Sequence, residues 1–504
     1  MLNCQVTIHP EYVIASVPDR LFGSFVEHMG RAVYGGIYEP GHPEAEVDGV
    51  RLDVIKLIRE LGVNVVRYPG GNFVSGYQWE DGVGPVENRP ARLDLAWRSR
   101  ETNEFGLNEF MAWARTAGTE PMLAVNLGTR GMADACNLLE YTNHPGGSYY
   151  SDLRVAHGFP APHGVKLWCL GNEMDGSWQI GHKSADEYGR LAANTARAMR
   201  QVDPNIELVL CGSSNMRMPT FGSWEATVLE HAYDDVDYLS LHAYYEQGLT
   251  DTGTFLASSV GMEEFINGVV ATVDHVRAKK HSNKQIQLSF DEWNLWDESH
   301  FVGHANLEWG QAPRLIEETY DQRDAVVFGS LMMCLLRHAD RVAIACLAQL
   351  VNVIAPIRTE PDSAAWRQTT FYPFALTARH ARGQVLQVRQ RTSQYITEFG
   401  DVDLADVVAT HDPESGEIAI FAMSRCQDDT TQLEVDLTAF GSVIVAEHLY
   451  LGGDSLEDTN TKTQPERVVP RQGTSATVQG NRLSAVLPPC SWTMIRLIRR
   501  PSAT

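Results

Sequence analysis

At 504 residues the chain is longer than a usual single domain, so we expect one large domain with a smaller one beside it. Hydrophobic residues make up 43% and charged residues 21%, the composition of an ordinary globular protein and not of a disordered chain. The formal net charge of −23 argues against nucleic acid or an anionic membrane surface as a partner and fits a neutral substrate.

From the sequence we expect no targeting signal, and it contains no C-x-x-C pair. Residues 1–6 lack a basic region followed by an apolar core, so no signal peptide is expected, and no apolar run reaches the ~20 residues that a bilayer requires. The eight cysteines are scattered, and several stand in apolar stretches as buried thiols would: Cys169, Cys211, Cys334 and Cys346. These observations predict a reduced, cytoplasmic protein without a membrane partner.

The first third of the chain alternates predicted strands and helices. Residues 3–15 read as one or two strands, and residues 21–28 as a strand that ends near Glu27. Residues 48–61 show helical spacing of apolar side chains, and residues 63–72 form a strand followed by a glycine-rich turn. This succession is the βα rhythm of an α/β domain.

The same rhythm continues as far as residue 350. Further strands are predicted at 120–127, 167–173, 206–212, 236–244, 286–292 and 342–350, and helices at 105–117, 184–202, 263–280 and 323–338. Ser184 and Glu187 form a capping box at the start of one helix. Eight strands alternating with helices predict a (β/α)8 barrel with inserted loops. The alternative is a doubly wound open sheet, but no glycine-rich dinucleotide or phosphate motif supports it.

Beyond about residue 380 the pattern changes to short alternating strands, at 384–389, 418–422, 432–437, 443–446, 483–489 and 492–497. Glycine, aspartate, asparagine and proline separate them, which is typical of a β-sandwich. We expect residues 1–16 to join this sandwich, residues 17–378 to form the barrel, and residues 379–504 to complete the sandwich.

Two of the predicted barrel strands end in a glutamate. Apolar residues 167–170 lead to Gly171-Asn172-Glu173, and residues 286–290 lead to Asp291-Glu292. Glycoside hydrolases use a pair of carboxylic acids to cleave the glycosidic bond, and two glutamates at the ends of separate strands could form such a pair. The alternative is that each glutamate only caps the helix after its strand.

The other predicted strand ends are also polar. They carry Glu27, Arg67, Asn72, Asn126, Asn172, His242, Tyr244, Trp296 and Gln349. Buried polar groups are costly unless they are paired, so this set indicates a pocket for a polar ligand such as a sugar. Structural roles are the alternatives: Arg67 could pair with Glu27, and His242 could be a core histidine with its hydrogen bonds satisfied.

The motifs at these strand ends resemble the glycoside hydrolase family 51 α-L-arabinofuranosidases over essentially the whole chain. The matching segments are 23–28 (GSFVEH), 67–73 (RYPGGNF), 168–176 (WCLGNEMDG), 241–245 (LHAYY) and 291–294 (DEWN). The resemblance implies a catalytic barrel with a sandwich built from both chain ends, and retaining, exo-acting removal of terminal arabinofuranosyl residues from arabinan, arabinoxylan or derived oligosaccharides.

The resemblance also implies roles for individual residues. Glu173 would be the acid/base and Glu292 the nucleophile. The arabinofuranosyl ring would be bound by Glu27, Arg67, Asn72, Asn172, His242, Tyr244, Trp296 and Gln349. No metal and no cofactor is implied, and the chain would form a homo-oligomer, commonly a hexamer. The loops with Trp97 and Trp178 match more loosely, so the preferred leaving group stays open.

Three other functions remain as alternatives. The first is another retaining glycosidase of the same barrel type, such as an endoglucanase or β-xylosidase. The second is a metal-dependent barrel enzyme that uses Glu27, Glu173 and Glu292 as ligands. The third is a sugar-binding protein without catalysis, although binding alone does not require opposed carboxylates.

Overall fold

Eight parallel strands close into a barrel in the computed structural model, which describes residues 2–46, 48–248, 250–303 and 306–500. Barrel strands 1 to 8 are, in order, Gly23–Phe25, Val65–Tyr68, Glu120–Ala124, Leu167–Cys169, Glu207–Leu210, Tyr238–Tyr245, Gln287–Leu295 and Val342–Ala348. Each strand pairs in parallel with the next, and strand 8 pairs with strand 1. Closure confirms the predicted barrel and rules out the open doubly wound sheet.

Helices connect the barrel strands. They span Leu52–Leu61, Leu107–Ala117, Met132–Asn143, Tyr149–Ala156, Ala185–Val202, Ser223–Ala232, Thr252–Leu256, Ser258–Lys279, Gln322–Arg337 and Phe371–His380. The capping box at Ser184 is confirmed, because its hydroxyl accepts the Glu187 backbone N–H while the Glu187 carboxylate accepts from the Ser184 backbone. Gly62, at φ 85°, ends the first helix in the left-handed conformation that glycine tolerates best.

Apolar side chains fill the inside of the barrel. Phe25, Met122, Cys169, Ile344 and Cys346 are among the residues that form one buried cluster within it. A barrel of eight strands is narrow enough to be filled in this way, so it has a packed core and no channel. Polar chemistry is therefore confined to the ends of the strands.

The remaining strands form two sheets that pack as a sandwich. One sheet has the order Arg389–Arg391, Leu2–Thr7, Thr431–Asp436, Arg482–Leu487 and Thr477–Gln479. The other has the order Val13–Ser16, Gln384–Leu386, Ala405–His411, Ile418–Ser424, Ser491–Arg499, Val443–Gly452 and Arg471–Gln472. The two N-terminal strands thus lie in different sheets of a sandwich made mostly by the C-terminal region. The boundaries at residues 16 and 378 stay a prediction.

A buried cluster of charges joins the sandwich to the barrel. Arg337 ends a barrel helix and donates to Asp406 of the sandwich at 2.5 Å. Arg425, also of the sandwich, donates to the Leu256 carbonyl at 3.0 Å and to the Ser259 hydroxyl at 2.9 Å. Each arginine has a carboxylate or carbonyl partner, which the cost of burying a charge demands.

Three short hairpins complete the described part of the chain, at Arg92–Asp94 with Ser99–Glu101, Ile357–Glu360 with Ser363–Arg367, and Gln394–Thr397 with Gly400–Asp403. The four cysteines predicted to be buried are buried, and all eight are free thiols. Within the described ranges, every helix is too short or too polar to cross a bilayer.

Candidate active site

Two carboxylic acids face each other at the C-terminal end of the barrel strands. Glu173 follows barrel strand 4, and Glu292 lies within barrel strand 7. Their exposed fractions are 8% and 7%, so both are buried. One carboxylate oxygen of each lies within 4.8 Å of the other. The structure therefore brings together the two glutamates that the sequence singled out.

Glu173 is held on both of its oxygens. The Trp178 indole N–H donates to Oε2 at 2.7 Å, and Nδ1 of His242 lies 2.9 Å from Oε1. The backbone of Glu173 has φ 43°, in the left-handed region that side chains other than glycine seldom adopt. Strain of this kind is found where the surrounding structure fixes a functional side chain.

Three side chains surround the Glu292 carboxylate: an arginine, a tyrosine and a histidine. An Arg67 guanidinium nitrogen donates to Oε2 at 3.0 Å, and the Tyr244 hydroxyl donates to Oε1 at 2.7 Å. His242 Nδ1 lies 3.6 Å from Oε2. Burial raises the pKa of Glu292 above its usual value, while the charges of His242 and Arg67 oppose that rise.

Arg67 links the two strands that carry the glutamates. Besides contacting Glu292, it donates to the side-chain oxygen of Asn172 at 2.5 Å. The Asn172 amide in turn donates to Gln179 at 3.3 Å. The alternative in which Arg67 pairs with Glu27 is therefore wrong. The partners of Arg67 are Glu292, the candidate nucleophile, and Asn172, the residue beside Glu173.

Glu27 comes shortly after barrel strand 1 and is 3% exposed. Its Oε1 accepts the Trp97 indole N–H at 2.7 Å and the Phe73 backbone N–H at 2.9 Å. The Gln349 side-chain oxygen accepts the Glu27 backbone N–H at 2.9 Å. Burial, together with the charge of Glu292, raises the pKa of Glu27 to about 8.

The last two predicted ligands of the sugar ring flank this pocket. Trp296 follows barrel strand 7 and packs edge-to-face against Tyr244, with ring centroids 5.2 Å apart. Asn72 begins the short 3-10 helix Asn72–Ser75, next to the Phe73 backbone that holds Glu27. Both are half-buried. All ten predicted site residues are thus near the C-terminal ends of the barrel strands, but their individual roles are not tested by this placement.

His242 lies between acidic groups on both sides of its ring. Nδ1 faces Glu173, and Nε2 lies 3.0 Å from Oδ1 of Asp291. Burial alone would lower the pKa of His242, but the charge of Glu292 and the contacts with Asp291 and Glu173 raise it to about 10. The acidic neighbours therefore favour the charged imidazolium, and His242 is more than a satisfied core histidine.

Sequence reasoning missed or left open three residues of the site. Asp291 was treated only as the neighbour of Glu292, yet it contacts His242. Trp97 and Trp178 stand in loops whose position no periodicity predicts, yet each donates to a pocket glutamate. An indole N–H usually finds a partner when it is buried, but the sequence does not say which.

The arrangement does not fit the alternative of a metal bound by Glu27, Glu173 and Glu292. Among the described residues, Glu173 and Glu292 come within 4.8 Å of His242 instead of forming that set with Glu27. A guanidinium 3.0 Å from Glu292 and a cationic imidazole between the glutamates supply positive charge where a metal would have to bind. Opposed carboxylates with fixed donors are instead suited to acid/base and nucleophilic chemistry.

Comparison with protein families assigns most of the chain. Residues 57–253 match the model of the α-L-arabinofuranosidase 1 domain, and residues 291–491 match that of the α-L-arabinofuranosidase C-terminal domain. The first match covers barrel strands 2 to 6, and the second runs from Asp291 into the sandwich.

Relatives with established names match over nearly the full length. An intracellular exo-α-(1→5)-L-arabinofuranosidase of Streptomyces lividans is 55% identical, covering 98% of this chain and 75% of its own. One of Bacillus subtilis is 52% identical, covering 99% of both chains. An exo-α-(1→6)-L-arabinofuranosidase of Bifidobacterium longum is 51% identical, covering 98% of this chain and 97% of its own. The names of the first two agree with the predicted cytoplasmic location.

Solved structures agree with these relatives. The family 51 α-L-arabinofuranosidase of Bifidobacterium longum superposes with a TM-score of 0.94 at 46% identity, covering 98% of this chain and 99% of its own. A glucanase-xylanase from a metagenome library has a TM-score of only 0.59 at 12% identity, which reflects the shared fold alone. By sequence, domain order and fold, the chain belongs to the glycoside hydrolase family 51 α-L-arabinofuranosidases.

Proposed function

We propose that this α-L-arabinofuranosidase acts by double displacement, with Glu292 as the nucleophile and Glu173 as the general acid and then the general base. The observation that supports this assignment is the separation of the two carboxylates, whose nearest oxygens lie within 4.8 Å. Retaining glycosidases hold their carboxyl groups about 5 Å apart, whereas inverting enzymes leave roughly 6.5–9.5 Å for a water molecule.

In the first step, Glu292 attacks the anomeric carbon of a terminal arabinofuranosyl residue as the bond to the leaving group breaks. Arg67 and Tyr244 orient the attacking carboxylate and favour its ionised form. Glu173 gives its proton to the departing oxygen. Asn172, placed beside Glu173 and fixed by Arg67, would hydrogen-bond the sugar 2-hydroxyl, a contact that strengthens in the transition state.

In the second step, the ionised Glu173 removes a proton from a water molecule, which attacks the anomeric carbon of the arabinosyl ester. The bond to Glu292 breaks, its carboxylate is regenerated, and Glu173 holds a proton again. Two inversions at one carbon leave the product with the configuration of the substrate.

Glu27, Asn72, Trp296 and Gln349 would bind the remaining hydroxyls and face of the ring. Glu27 and Gln349 are held rigidly by backbone and indole hydrogen bonds, which favours recognition of one sugar shape. Trp296 offers an aromatic surface of the kind that sugars pack against.

The substrates are arabinan, arabinoxylan or oligosaccharides derived from them, with the terminal sugar removed from the non-reducing end. Relatives at similar identity are named for α-(1→5) and α-(1→6) linkages, so either linkage is compatible with this pocket. Initial rates on α-1,5-arabinobiose, on its 1,6-linked isomer and on arabinose-substituted xylo-oligosaccharides would rank these substrates.

Proton NMR of the first-formed product tests the mechanism. We expect the anomer of the substrate to appear first, and methanol to compete with water to give a methyl arabinofuranoside of the same configuration. Initial appearance of the other anomer would contradict both the mechanism and the pairing of Glu173 with Glu292.

A glucanase or β-xylosidase activity is not favoured by the comparisons. Rates on aryl α-L-arabinofuranoside, aryl β-D-xyloside and glucan would measure the difference directly. We expect kcat/KM to be highest for the arabinofuranoside, by at least about tenfold. A difference of a single methylene group already changes kcat/KM by roughly that factor in a specific pocket.

We propose, finally, that the chain forms a homo-oligomer, with a hexamer as the expected assembly. Soluble enzymes commonly adopt closed symmetry, and the family resemblance indicates six copies. Light scattering at micromolar concentration decides the point, since a particle with the mass of one chain would contradict the proposal.

A further inference from the structure

Asp291 is directed into the active site by an irregularity in barrel strand 7. Neighbouring residues of a regular strand face opposite sides, so Asp291 and Glu292 should not point to the same place. However, Ser240 pairs with Ser289, whereas His242 pairs with Glu292, so strand 7 has one residue more than strand 6 across this interval. An extra residue of this kind re-aims side chains and is common beside active sites.

The contacts of Asp291 show where it is aimed. Oδ1 accepts the Ser240 hydroxyl at 2.7 Å and lies 3.0 Å from Nε2 of His242. Oδ2 lies 3.9 Å from Nε of Arg67 and accepts the Cys169 thiol at 3.8 Å. Asp291 is 1% exposed, so these neighbours and not water fix its carboxylate.

The far side of the imidazole faces both catalytic candidates. Nδ1 of His242 is 2.9 Å from Oε1 of Glu173 and 3.6 Å from Oε2 of Glu292. One ring nitrogen is thus anchored to Asp291, while the other lies within reach of both glutamates. The titratable groups that face the ring are Asp291, Glu173 and Glu292. The charged and titratable groups in contact with those carboxylates are Arg67, Tyr244 and Cys169.

We propose that Asp291 is a positioning residue that anchors His242 as a shared counter-ion, so that one imidazolium stabilises whichever of Glu173 and Glu292 is negatively charged. The inference rests on the proposed roles of the two glutamates. In the resting enzyme the negative charge is on Glu292. When the arabinosyl ester forms, Glu292 becomes neutral and Glu173, having given its proton to the leaving oxygen, becomes the carboxylate. The negative charge thus passes from one glutamate to the other on the Nδ1 side of the ring, while the imidazolium stays in place.

General electrostatics supports both parts of this proposal, the anchoring of His242 by Asp291 and the stabilisation of the glutamates by the imidazolium. A histidine hydrogen-bonded to a buried carboxylate is oriented by it and stabilised as a cation. In a site shielded from water, a fixed positive charge stabilises developing negative charge without any reorganisation at the moment of reaction. The raised pKa of His242, about 10, agrees with a permanent imidazolium across the neutral range.

The Asp291→Asn variant tests the proposal. It keeps the size of the side chain and an acceptor for Nε2, but it removes one of the negative charges that, together with Glu292 and Glu173, favour the imidazolium. We expect kcat/KM to fall on the order of 10²-fold. Activity should also be lost on the alkaline side at a lower pH than in the wild-type enzyme, because the imidazole then deprotonates within the measured range.

The spectroscopic readout is the charge of His242 itself. In enzyme labelled with ¹⁵N-histidine, the His242 resonance, assigned by its absence from His242→Gln, should stay that of an imidazolium from pH 5 to pH 9. In Asp291→Asn it should titrate within that interval. A resonance and a pH profile unchanged from wild type would overturn the proposal, since a purely structural effect would move neither.

Two further variants separate charge from folding. Ser240→Ala removes one hydrogen bond to Asp291 without altering a charge, so it should shift the pH profile in the same direction but less, and it serves if Asp291→Asn does not fold. Asp237→Asn is the matched control: Asp237 precedes the same barrel strand 6 at its other end, where it pairs with Arg200 at 2.6 Å. Its pH profile should equal that of the wild type.

A covalent label distinguishes failure of this inference from failure of the proposed function. A slow arabinofuranosyl substrate, quenched with acid and analysed by mass spectrometry, should leave the sugar on the peptide that contains Glu292. If that label forms while Asp291→Asn behaves like the wild type, only the inference fails. If no label forms on Glu292, the assigned roles of the glutamates fail as well.

Discussion

Glu27 is a buried acid whose surroundings disfavour its charged form. Burial and the charge of Glu292 raise its pKa to about 8, from an ordinary value of 4.5. Between those two pH values the folded chain keeps a proton that the unfolded chain has already lost, so this group lowers the stability of the fold as the pH rises. This loss of stability is absent below about pH 4.5 and complete above about pH 8.

Glu27→Gln should therefore stabilise the protein at pH 8 relative to wild type, by an amount on the order of a few kcal/mol, and much less at pH 5. The glutamine keeps an acceptor for Trp97 but cannot ionise. The midpoint of thermal unfolding at the two pH values measures the effect. Glu44→Gln, at an exposed position, is the control and should give no such dependence. An equal difference at both pH values would contradict the prediction.

Glu173→Ala should slow hydrolysis strongly for substrates with poor leaving groups and much less for activated aryl arabinofuranosides, which need little protonation. The left-handed backbone at Glu173, φ 43°, stays equally unfavourable for alanine, so the change removes the carboxyl group without relieving the backbone. Azide, which attacks without a general base, should restore part of the rate and yield an arabinosyl azide.

Rates on two aryl arabinofuranosides with leaving groups of different acidity check this prediction. Glu173→Gln serves as the companion variant. Its side chain has the same size as glutamate, but its amide cannot protonate the leaving group as a carboxylic acid does. Equal losses on both substrates, with no azide product, would count against Glu173 as the acid/base.

At the scale of elements, the turn after barrel strand 2 positions the pocket. A Cβ atom on Gly71 would lie 2.3 Å from Oε2 of Glu27, closer than real contacts allow. Gly71→Ala should therefore displace Glu27, and a shift of about 1 Å in a positioning group costs roughly 10²-fold in kcat/KM. The unfolding midpoint should change little by comparison.

Gly131→Ala is the matched control for this prediction. Gly131 precedes the helix Met132–Asn143 with an extended backbone, and its added Cβ would come no closer than 3.8 Å to its nearest neighbour, Leu191. Its kinetics should equal those of the wild type. Steady-state kinetics of the two variants on an aryl arabinofuranoside settle the matter, since similar values for both would exclude a positioning role for the turn.

Hydrophobic periodicity was sufficient to predict the eight barrel strands, but not every helix between them. The helices Met132–Asn143, Tyr149–Ala156 and Ser223–Ala232 were not predicted, and other errors lie at the ends of elements. The helix predicted for residues 48–61 begins only at Leu52, because Asp48 and its neighbours form a loop before the apolar face starts. The strand Ala405–His411 and the helix Phe371–His380 were not predicted. Both are buried among other elements. Continuous burial removes the periodic alternation of apolar and polar residues from which strands and helices are predicted.

The site was predictable wherever a side chain follows directly from the end of a strand. Glu173, after barrel strand 4, and Glu292, near the C-terminal end of barrel strand 7, come together because the closing of eight strands brings these ends to one side of the barrel. Asp291 was not predictable in this way, because a regular alternation would turn it away from Glu292 and only the added residue in strand 7 reverses that. The hydrogen bonds of Trp97 and Trp178 depend on loop shape, which sequence patterns do not encode.

At the scale of the whole molecule, Asp406 is the centre of the contact between sandwich and barrel. It is 6% exposed and pairs with Arg337 at 2.5 Å and with Arg425 at 3.4 Å. Asp406→Ala should lower the free energy of unfolding by about 3–5 kcal/mol, because the buried Arg425 and the partly buried Arg337 lose their carboxylate. Calorimetry should show a lower unfolding temperature.

The control for that change is Asp428→Ala, at an exposed position of the same sandwich. It should unfold like the wild type, since exposed charges contribute little. If both variants unfolded alike, the cluster would have no role in holding the two parts together.

The place of the strand Leu2–Thr7 also matters for how the protein is made. It pairs in parallel with Thr431–Asp436, so its partner leaves the ribosome more than 400 residues later. At 5–20 residues per second that delay is roughly 20 to 90 s. During this time the nascent strand presents an unpaired edge that other chains could join. The barrel strands, all synthesised before Thr431–Asp436, can close meanwhile, so the barrel can fold before the sandwich is complete.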